Sequence, residues 1–393
     1  MGEEKTIVLF QGQSQYFVLN AFINEIAGVF SELGYDTAII WLTKTNWQGE
    51  LEEILKTKKV AFFFSFNAIG IDIQMNHESL YDHLHIPLFA FLVDHPMYHL
   101  QRLNTGVKNL IVSCVDQDHV LFLRKYLNGH YTKVFIPHGV MVKQPDPHLQ
   151  SDRPIDVLFS GTFHDPENIR KTWTSCPTSV SKLCEEIIDQ SLYEVYQPLD
   201  QIVLKVFESK GIDPGYIVQS SLYKLLMQID QYIRYWRRKR ALEQLSHTDF
   251  RIEVYGNGWE SLSKKIPGIR FYPAMSYEKI KAKMGKSKLV LTVMPNFTYG
   301  GHERVFSAMS QGAVSLVNDN GFFRDNFKQE ELLTYSVHDD LGIRIENLLK
   351  NRDKLQQISE FGRTKVIESH TWLNRAQKII QTVDYHQYFM NND

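Results

Sequence analysis

The chain has 393 residues, of which 43% are hydrophobic and 12% aromatic. That length allows more than one core, because single domains rarely grow past about 250 to 300 residues. The formal net charge of -2, from 43 basic and 45 acidic side chains, excludes a global field that would favour nucleic acid or an acidic membrane surface. We therefore expect two domains and no nucleic-acid partner.

The cysteines and the amino terminus bear on the compartment. Cys114, Cys176 and Cys184 have no paired spacing, which argues against a disulfide framework and against a zinc site. Acidic residues precede a short apolar run that stops at Gly12, whereas a signal peptide has a basic leader. No run approaches the roughly 20 apolar residues that span a bilayer. These features predict a cytoplasmic protein without a transmembrane segment.

In the first half of the chain, short apolar runs alternate with amphipathic stretches. This alternation is typical of parallel strands joined by crossover helices. The polar, proline-rich stretch from Lys143 to Pro154 predicts a linker, so we assign residues 1–145 to a first Rossmann-like domain. Its predicted strands are Thr6 to Phe10, Thr37 to Leu42, Val60 to Phe66, Pro87 to Val93, Leu110 to Val115 and Lys133 to Ile136.

The same pattern restarts after the linker and is then interrupted. We assign residues 146–372 to a second Rossmann-like domain, with a helical insertion at about 165–247 and a final helix over 373–393. The insertion is predicted from some eighty residues of helical character that follow the first strand. The predicted strands are Asp156 to Phe159, Arg251 to Tyr255, Gly268 to Tyr272, Leu289 to Val293, Ala313 to Val317 and Leu333 to Ser336.

Loops that follow the strands of the second half are the first candidates for a binding site, because open α/β sheets bind ligands at the carboxyl ends of their strands. Three of four such loops carry glycine, which lets backbone amides approach a diphosphate. Glycine also dominates tight turns whatever the function, so a purely structural role stays open. The four loops are Ser160-Gly161-Thr162, Gly256-Asn257-Gly258-Trp259, Pro273-Ala274-Met275 and Met294 to Gly301.

The segment from Pro295 to Gly312 is the most informative. It predicts a strand end, a glycine pair, and a helix that begins at His302. Arg304 lies in the first turn, where a cation is unfavourable against the helix dipole unless an anion binds nearby. Its guanidinium could hold phosphate oxygens bidentately. A surface arginine paired with a carboxylate is the alternative.

The run from Ile252 to Asp319 resembles the carboxyl-terminal domain of the group 1 glycosyltransferases, in the branch of the spore maturation protein CgeB. The resemblance is carried, in order, by "VYGNGW", "IRFYPAMSYEKI" and "LVLTVMPNFTYGGHERVFSAMSQGAV", with "IPHGV", "VLFSGTF" and "HTWLNRAQKII" at the expected crossover positions. It implies a GT-B fold, in which two Rossmann-like domains face a central cleft, the donor sits on the second domain and the acceptor on the first.

The resemblance also implies metal-independent catalysis with no cofactor, in which helix amides and basic side chains neutralise the diphosphate. The nucleotide-sugar donor would be a co-substrate. Carried over by position, the donor-binding residues would be Ser160, Gly161, Thr162, Gly256, Asn257, Trp259, Met275, Asn296, Tyr299, Gly300, Gly301, His302, Glu303, Arg304 and Ser307.

One departure from the family concerns a pair of glutamates separated by seven residues, the second of which holds the ribose. Here Tyr299 occupies the first position and Ser307 the second. Glu303 lies one helical turn before Ser307 on the same face, so it is a candidate substitute for the ribose contact.

In the first half, Asp94 and His95 follow the apolar strand "PLFAFLV" and precede a proline. An ionisable pair at a strand end could act as general base on an acceptor hydroxyl, and a capping or turn role is equally open. His138, near the linker, is the rival catalytic candidate. A metal cluster of His83, His85 and His99 is a further, weaker alternative.

Aromatic and basic residues alternate from Tyr232 to Arg240. A solvated amphipathic helix packed through its aromatic side is the first interpretation, and acceptor docking or self-association through residues 230–245 is the second. Altogether the sequence predicts a glycosyltransferase acting on a glycan, protein or small-molecule acceptor. A sugar-nucleotide epimerase of the same fold, or a non-catalytic glycan-binding or assembly protein on a lapsed transferase fold, remain alternatives.

Overall fold

A computed structural model describes residues 5–14, 17–127, 129, 131–142, 152–194, 196–213, 219–294 and 296–390. The chain divides into two compact units, Met1–Met141 with Ser369–Asp393, and Val142–Glu368. Most of the predicted linker, residues 143–151, lies outside the described residues, as does Pro295.

The first unit contains a six-stranded parallel sheet with the strand order β2-β1-β3-β6-β7-β8. All six predicted strands are confirmed, and a short antiparallel hairpin, β4 with β5, was not predicted. The strands are β1 (Lys5–Gln11), β2 (Asp36–Trp41), β3 (Lys59–Phe66), β4 (Gln74–Met75), β5 (Glu78–Ser79), β6 (Leu88–Leu92), β7 (Leu110–Cys114) and β8 (Thr132–Phe135).

Helices cover this sheet, which explains why its central strand β3 is apolar without alternation. Every residue from Phe62 to Phe66 is buried, because a parallel sheet enclosed on both faces needs apolar side chains on both. The helices of the unit are α1 (Val18–Glu32), α2 (Trp47–Thr57), α3 (Leu80–His83), α4 (Leu100–Leu103), α5 (Gln117–Tyr126) and the last helix of the chain, α16 (Trp372–Met390).

The second unit contains another six-stranded parallel sheet, with the order β11-β10-β9-β12-β13-β14. Its six strands were also predicted. Because all of them run in one direction, their carboxyl ends lie along a single edge. The strands are β9 (Ile155–Ser160), β10 (Ile252–Tyr255), β11 (Ile269–Tyr272), β12 (Ser287–Thr292), β13 (Val314–Asn318) and β14 (Leu333–Tyr335).

The predicted helical insertion is present between β9 and β10, and its long helix packs against its own neighbours and against α14. The inserted helices are α6 (Pro166–Thr174), α7 (Thr178–Tyr193), α8 (Leu199–Ser209) and α9 (Gln219–Leu245). The remaining helices are α10 (Glu260–Ser263), α11 (Tyr277–Met284), α12 (Glu303–Ser310), α13 (Gly321–Asn326), α14 (Leu341–Lys350) and α15 (Arg352–Ser369). Within the described residues, no helix is long and apolar enough to cross a membrane.

The chain returns to the first unit through α16, and buried polar contacts hold that helix in place. The indole nitrogen of Trp372 donates to Glu25 at 2.8 Å. Arg375, which is only 6% exposed, donates to the carbonyl oxygens of His138 at 3.1 Å and Ser369 at 3.0 Å, and lies 2.8 Å from His370 Nδ1. Burial lowers the pKa of Arg375 to about 10.

We predict that Arg375→Met destabilises the protein by about 2–4 kcal/mol, because methionine keeps the apolar stem but leaves several buried acceptors without their donor. The measurement is the midpoint of urea unfolding. Arg124→Met, on the exposed side of α5, is the matched control and should leave the midpoint unchanged. Equal midpoints for the two variants would show that α16 does not depend on these contacts.

Candidate functional site

The predicted binding loops of the second unit lie together at the carboxyl edge of its sheet. Gly161 donates its amide hydrogen to the carbonyl oxygen of Tyr255 at 2.9 Å, and Gly256 donates to that of Tyr272 at 3.0 Å. The loops after β9, β10 and β11 are therefore joined by backbone hydrogen bonds. This edge is where parallel α/β sheets bind their ligands.

Two glycines in these loops are required by neighbouring backbone. A Cβ atom at Gly256 would lie 2.0 Å from the carbonyl oxygen of Gly161, and one at Gly258 would lie 1.9 Å from that of Phe163. Gly258 also has a positive φ of 87°, which favours glycine. Close packing against the adjoining loop is therefore a sufficient reason for glycine at these two positions, and the approach of a diphosphate to their amides stays a prediction.

Three further candidates connect these loops to neighbouring residues: Trp259, Asn257 and Met275. Trp259 is 2% exposed, stacks on Phe163 at 4.5 Å and donates its indole N–H to Gly161 at 2.8 Å. Asn257 accepts a hydrogen bond from the amide of Ala274 at 3.1 Å. Met275 packs against the apolar cluster under this edge. These side chains shape the site through the positions of the loops.

Helix α12 begins as predicted, with His302 as its N-cap. His302 Nδ1 lies 3.4 Å from the amide nitrogen of Arg304 and is closer still to the Glu303 carboxylate. The cap contact needs an unprotonated Nδ1 that accepts from the Arg304 amide, as in a neutral ring. Burial lowers the pKa of His302, with Arg304 and Arg238 acting in the same direction and Glu303 opposing them.

Arg238, on α9 of the insertion, joins this group. It is 6% exposed and donates to the carbonyl oxygen of Thr162. Its pKa is lowered to about 9 by burial first, and then by Arg304 and Arg234. Arg234 forms an ion pair with Asp230 at 2.8 Å. We call the two arginines, Arg238 and Arg304, together with the neutral ring of His302, the cation cluster.

The cation cluster has the charge to attract an anion. Positive groups held together away from water repel one another, and a negative ligand relieves that repulsion. Within the described residues, Arg238 Nε and the hydroxyl of Ser160, at the end of the central strand β9, are buried without a hydrogen-bond partner. A phosphate oxygen would satisfy such groups, since an unpaired buried polar group costs about 1–3 kcal/mol.

Sequence reasoning missed Arg238, because the run from Tyr232 to Arg240 was interpreted as a solvated face. A usable signal was the spacing of Arg234 and Arg238. Residues four apart lie on one face of a helix, and the aromatic residues between them predicted that this helix packs closely.

The remaining donor-site candidates are engaged with protein. Asn296 donates to Asp230 at 2.6 Å and accepts from Arg237 at 2.7 Å, which ties the loop after β12 to α9. Asn320 donates to the carbonyl oxygen of Gly300 at 2.8 Å. A Cβ at Gly301 would meet the ring of a buried phenylalanine at 2.6 Å. These contacts fix the path of the chain into α12.

The residues at the two glutamate positions each contact another side chain. Tyr299 donates to Asp325 at 2.7 Å, and this hydrogen bond raises the pKa of Tyr299. Ser307 is 1% exposed, with its hydroxyl 3.2 Å from that of Tyr277. Glu303 contacts His302 and lies 3.7 Å from Arg304 Nε. Its ribose contact stays a prediction.

In the first unit, Asp94 and His95 follow β6 as predicted. The Asp94 side chain is 54% exposed and accepts a hydrogen bond from Asn67 at 3.0 Å. His95 Nδ1 accepts from the amide of Met97 at 3.1 Å. The neutral ring then carries its proton on Nε2 and acts there as a donor, so Asp94 is the better placed acceptor of a proton.

His138 lies in the core of the first unit. It is 2% exposed, donates from Nδ1 to its neighbouring Gly139 carbonyl at 2.7 Å and packs against Phe22 and Trp372 with ring centroids 4.7 and 5.0 Å away. We therefore propose no role for His138 as the catalytic general base. Across the residues with described positions, no three His, Cys, Asp or Glu side chains are grouped as a metal ion would need.

Three solved structures share this architecture along nearly the whole chain. Sucrose-phosphate synthase from Thermosynechococcus elongatus is 10% identical, with a TM-score of 0.58 over 99% of this chain and 100% of that chain. HepE of Anabaena, in complex with UDP-glucose, is 10% identical, with a TM-score of 0.53 over 97% and 99%. T4 phage BGT, in complex with its UDP-glucose substrate, is 11% identical, with a TM-score of 0.51 over 97% and 99%.

At these identities the likeness shows the fold: the chain has the GT-B fold, with two Rossmann-like units. Residues 237–381 match the model of a family described as glycosyl transferase-like, so this part of the chain is similar to that family in sequence too. No curated protein sequence matches the chain.

We predict that Gly256→Ala destabilises the second unit by about 1–3 kcal/mol, because the added Cβ forces the loop after β9 away from that after β10. Thermal unfolding measures the change. Gly285→Ala is the control, since a Cβ there meets its nearest atoms at an ordinary 3.5 Å. Equal melting temperatures would mean that the two loops are not held this closely.

Proposed function

We propose that this protein is a glycosyltransferase that takes a sugar from a nucleoside-diphosphate sugar bound by the second unit. The observation that carries the proposal is the cation cluster at the carboxyl edge of the sheet, in which Arg238 and Arg304 carry the charge beside the ring of His302. A diphosphate has the charge and the number of oxygens to engage two guanidinium groups at once. The amino terminus of α12 adds a favourable dipole in the same place.

Glycosyl transfer is favoured by fixed positive charge beside the departing diphosphate. When the bond from sugar to diphosphate breaks, negative charge accumulates on the departing nucleoside diphosphate, and fixed cations stabilise that charge most where water is excluded. Arg238 is buried and held by Thr162, so it need not reorganise as the charge develops. We propose that these groups allow transfer without a metal ion.

The comparisons suggest which donors to test first. The solved structures of HepE and BGT contain UDP-glucose, so UDP-sugars lead the list. The CgeB-like branch stays our proposal for the finer relationship, on the motifs given above. The acceptor is a glycan, a protein or a small molecule, and docking or self-association through residues 230–245 stays a prediction.

We predict that a nucleoside diphosphate raises the melting temperature of the protein, and that Arg238→Ala and Arg304→Ala each weaken its binding by about 2 kcal/mol, or roughly 30-fold, because each removes a charge-assisted hydrogen bond. Calorimetric titration with UDP, GDP, CDP and ADP measures the affinity.

Arg352→Ala, on the exposed start of α15, is the control and should bind like the unchanged protein. No binding of any nucleotide at millimolar concentration would contradict the proposal. Recovery of an isomerised sugar from the donor alone would instead identify the protein as an epimerase.

On the acceptor side, we predict that Asp94→Asn abolishes most transfer, because the amide cannot accept a proton. His95→Ala should reduce transfer by a smaller factor, through loss of the Nε2–H donor. Both variants should bind the donor normally, since their substitutions lie in the first unit. Initial rates of transfer to an identified acceptor measure the effect, and unchanged rates in Asp94→Asn would remove it from the mechanism.

A further inference from the structure

An open pocket lies in the second unit, and none of its lining residues is among those assigned to the donor. One wall is α9, which contributes Trp236, Arg237 and Arg240, and the other is formed by the ends of β12, β13 and β14, with Tyr335 among them.

Two arginines give the pocket its positive character. Arg237 is anchored by hydrogen bonds to Asn296 at 2.7 Å and to the carbonyl oxygen of Ser191 at 3.0 Å, while its Nε has no partner among the residues whose positions are described. Part of the side chain still reaches solvent. Arg240 is exposed and lies over the ring of Trp236, 5.5 Å from its centroid.

The acidic groups nearby are already matched by other cations. Asp319, which also lines the pocket, accepts hydrogen bonds through Oδ2 from Arg324 at 2.8 Å and from Tyr196 at 2.8 Å. Asp230, which acts electrostatically on Arg237, forms its ion pair with Arg234. Arg237 and Arg240 themselves form no ion pair within the described residues, and the one carboxylate oxygen of the lining that has no hydrogen-bond partner there is Asp319 Oδ1.

The geometry points to a second ligand site in this pocket, for a small molecule that carries both a ring and a negative charge, such as a sugar phosphate or a sugar acid. The anionic group binds Arg237 and Arg240, which suit phosphate and carboxylate oxygens. The ring packs between Trp236 and Tyr335, since aromatic side chains provide the apolar surface of such sites.

This site is separate from the cation cluster although the same helix serves both. Arg237 and Arg238 are consecutive, and side chains that follow one another on a helix point about 100° apart. Arg238 is directed to Thr162 in the loop after β9, and Arg237 to Asn296 in the loop after β12. Occupation of the pocket does not depend on the glycosyltransferase proposal.

Isothermal titration of the full chain with glucose 6-phosphate, glucuronate, inorganic phosphate and glucose tests the inference. We expect saturable binding of glucose 6-phosphate or glucuronate, weaker binding of phosphate, and no binding of glucose. Arg240→Gln should weaken the affinity at least tenfold, and its exposed position makes it safe for folding. Arg237→Gln, checked for its melting temperature, should do the same.

Two controls separate this pocket from the donor site. Arg352→Gln should bind the probes normally, and so should Arg304→Gln, while saturating UDP should not displace them. Loss of binding in Arg304→Gln, or displacement by UDP, would place the probes in the donor site and overturn the inference. So would equal binding of glucose, phosphate binding as tight as that of glucose 6-phosphate, or no saturable binding of any probe.

Discussion

The second unit depends on the way α9 is held against the carboxyl edge of its sheet. Arg238 donates to the loop after β9, and Asn296 joins the loop after β12 to Asp230 and Arg237. The strands of a parallel sheet leave backbone groups exposed at this edge, and the loops there form polar contacts with the insertion. The inserted helix therefore brings its own charged side chains to the edge. Helix α9, which the sequence places in an insertion, is thereby part of the candidate binding surface.

That arrangement has an electrostatic cost in the free protein. The lowered pKa of Arg238, about 9, arises from burial first and from neighbouring arginines second. Cations that disfavour each other in the absence of an anion gain stability when one binds, so the free energy of folding and that of ligand binding are linked. In the first turn of α12, where the helix dipole opposes a cation, the carboxylate of Glu303 lies 3.7 Å from Arg304 Nε and offsets that cost.

The sequence predicted the elements better than the contacts between them. Apolar runs located all the strands of both sheets, and the start of α12 followed from the residue at its N-cap. A glycine at a strand end did not distinguish ligand binding from loop packing, and Gly256 is needed for the close packing of two loops. Arg238 joins Arg304 only after a long insertion folds back, and His138 is enclosed by aromatic rings from distant segments. Periodicity and spacing show which residues share a face of a helix, but they do not show which distant residues that face contacts.

Tyr299 and Ser307 stand where the group 1 glycosyltransferases that the sequence resembles carry two glutamates, and the surroundings of Ser307 give a physical reason for the difference. Ser307 is enclosed beside the hydroxyl of Tyr277, a place where a longer, charged side chain would need room and a counter-charge. Glu303, one turn earlier, has both, because it lies against His302 and near Arg304. The carboxylate of Glu303 partly neutralises the positive charge of the cation cluster. Glu303 is the one acidic residue of α12. Glu303 therefore acts on the charge of the cation cluster, and its contact with a ribose stays a prediction.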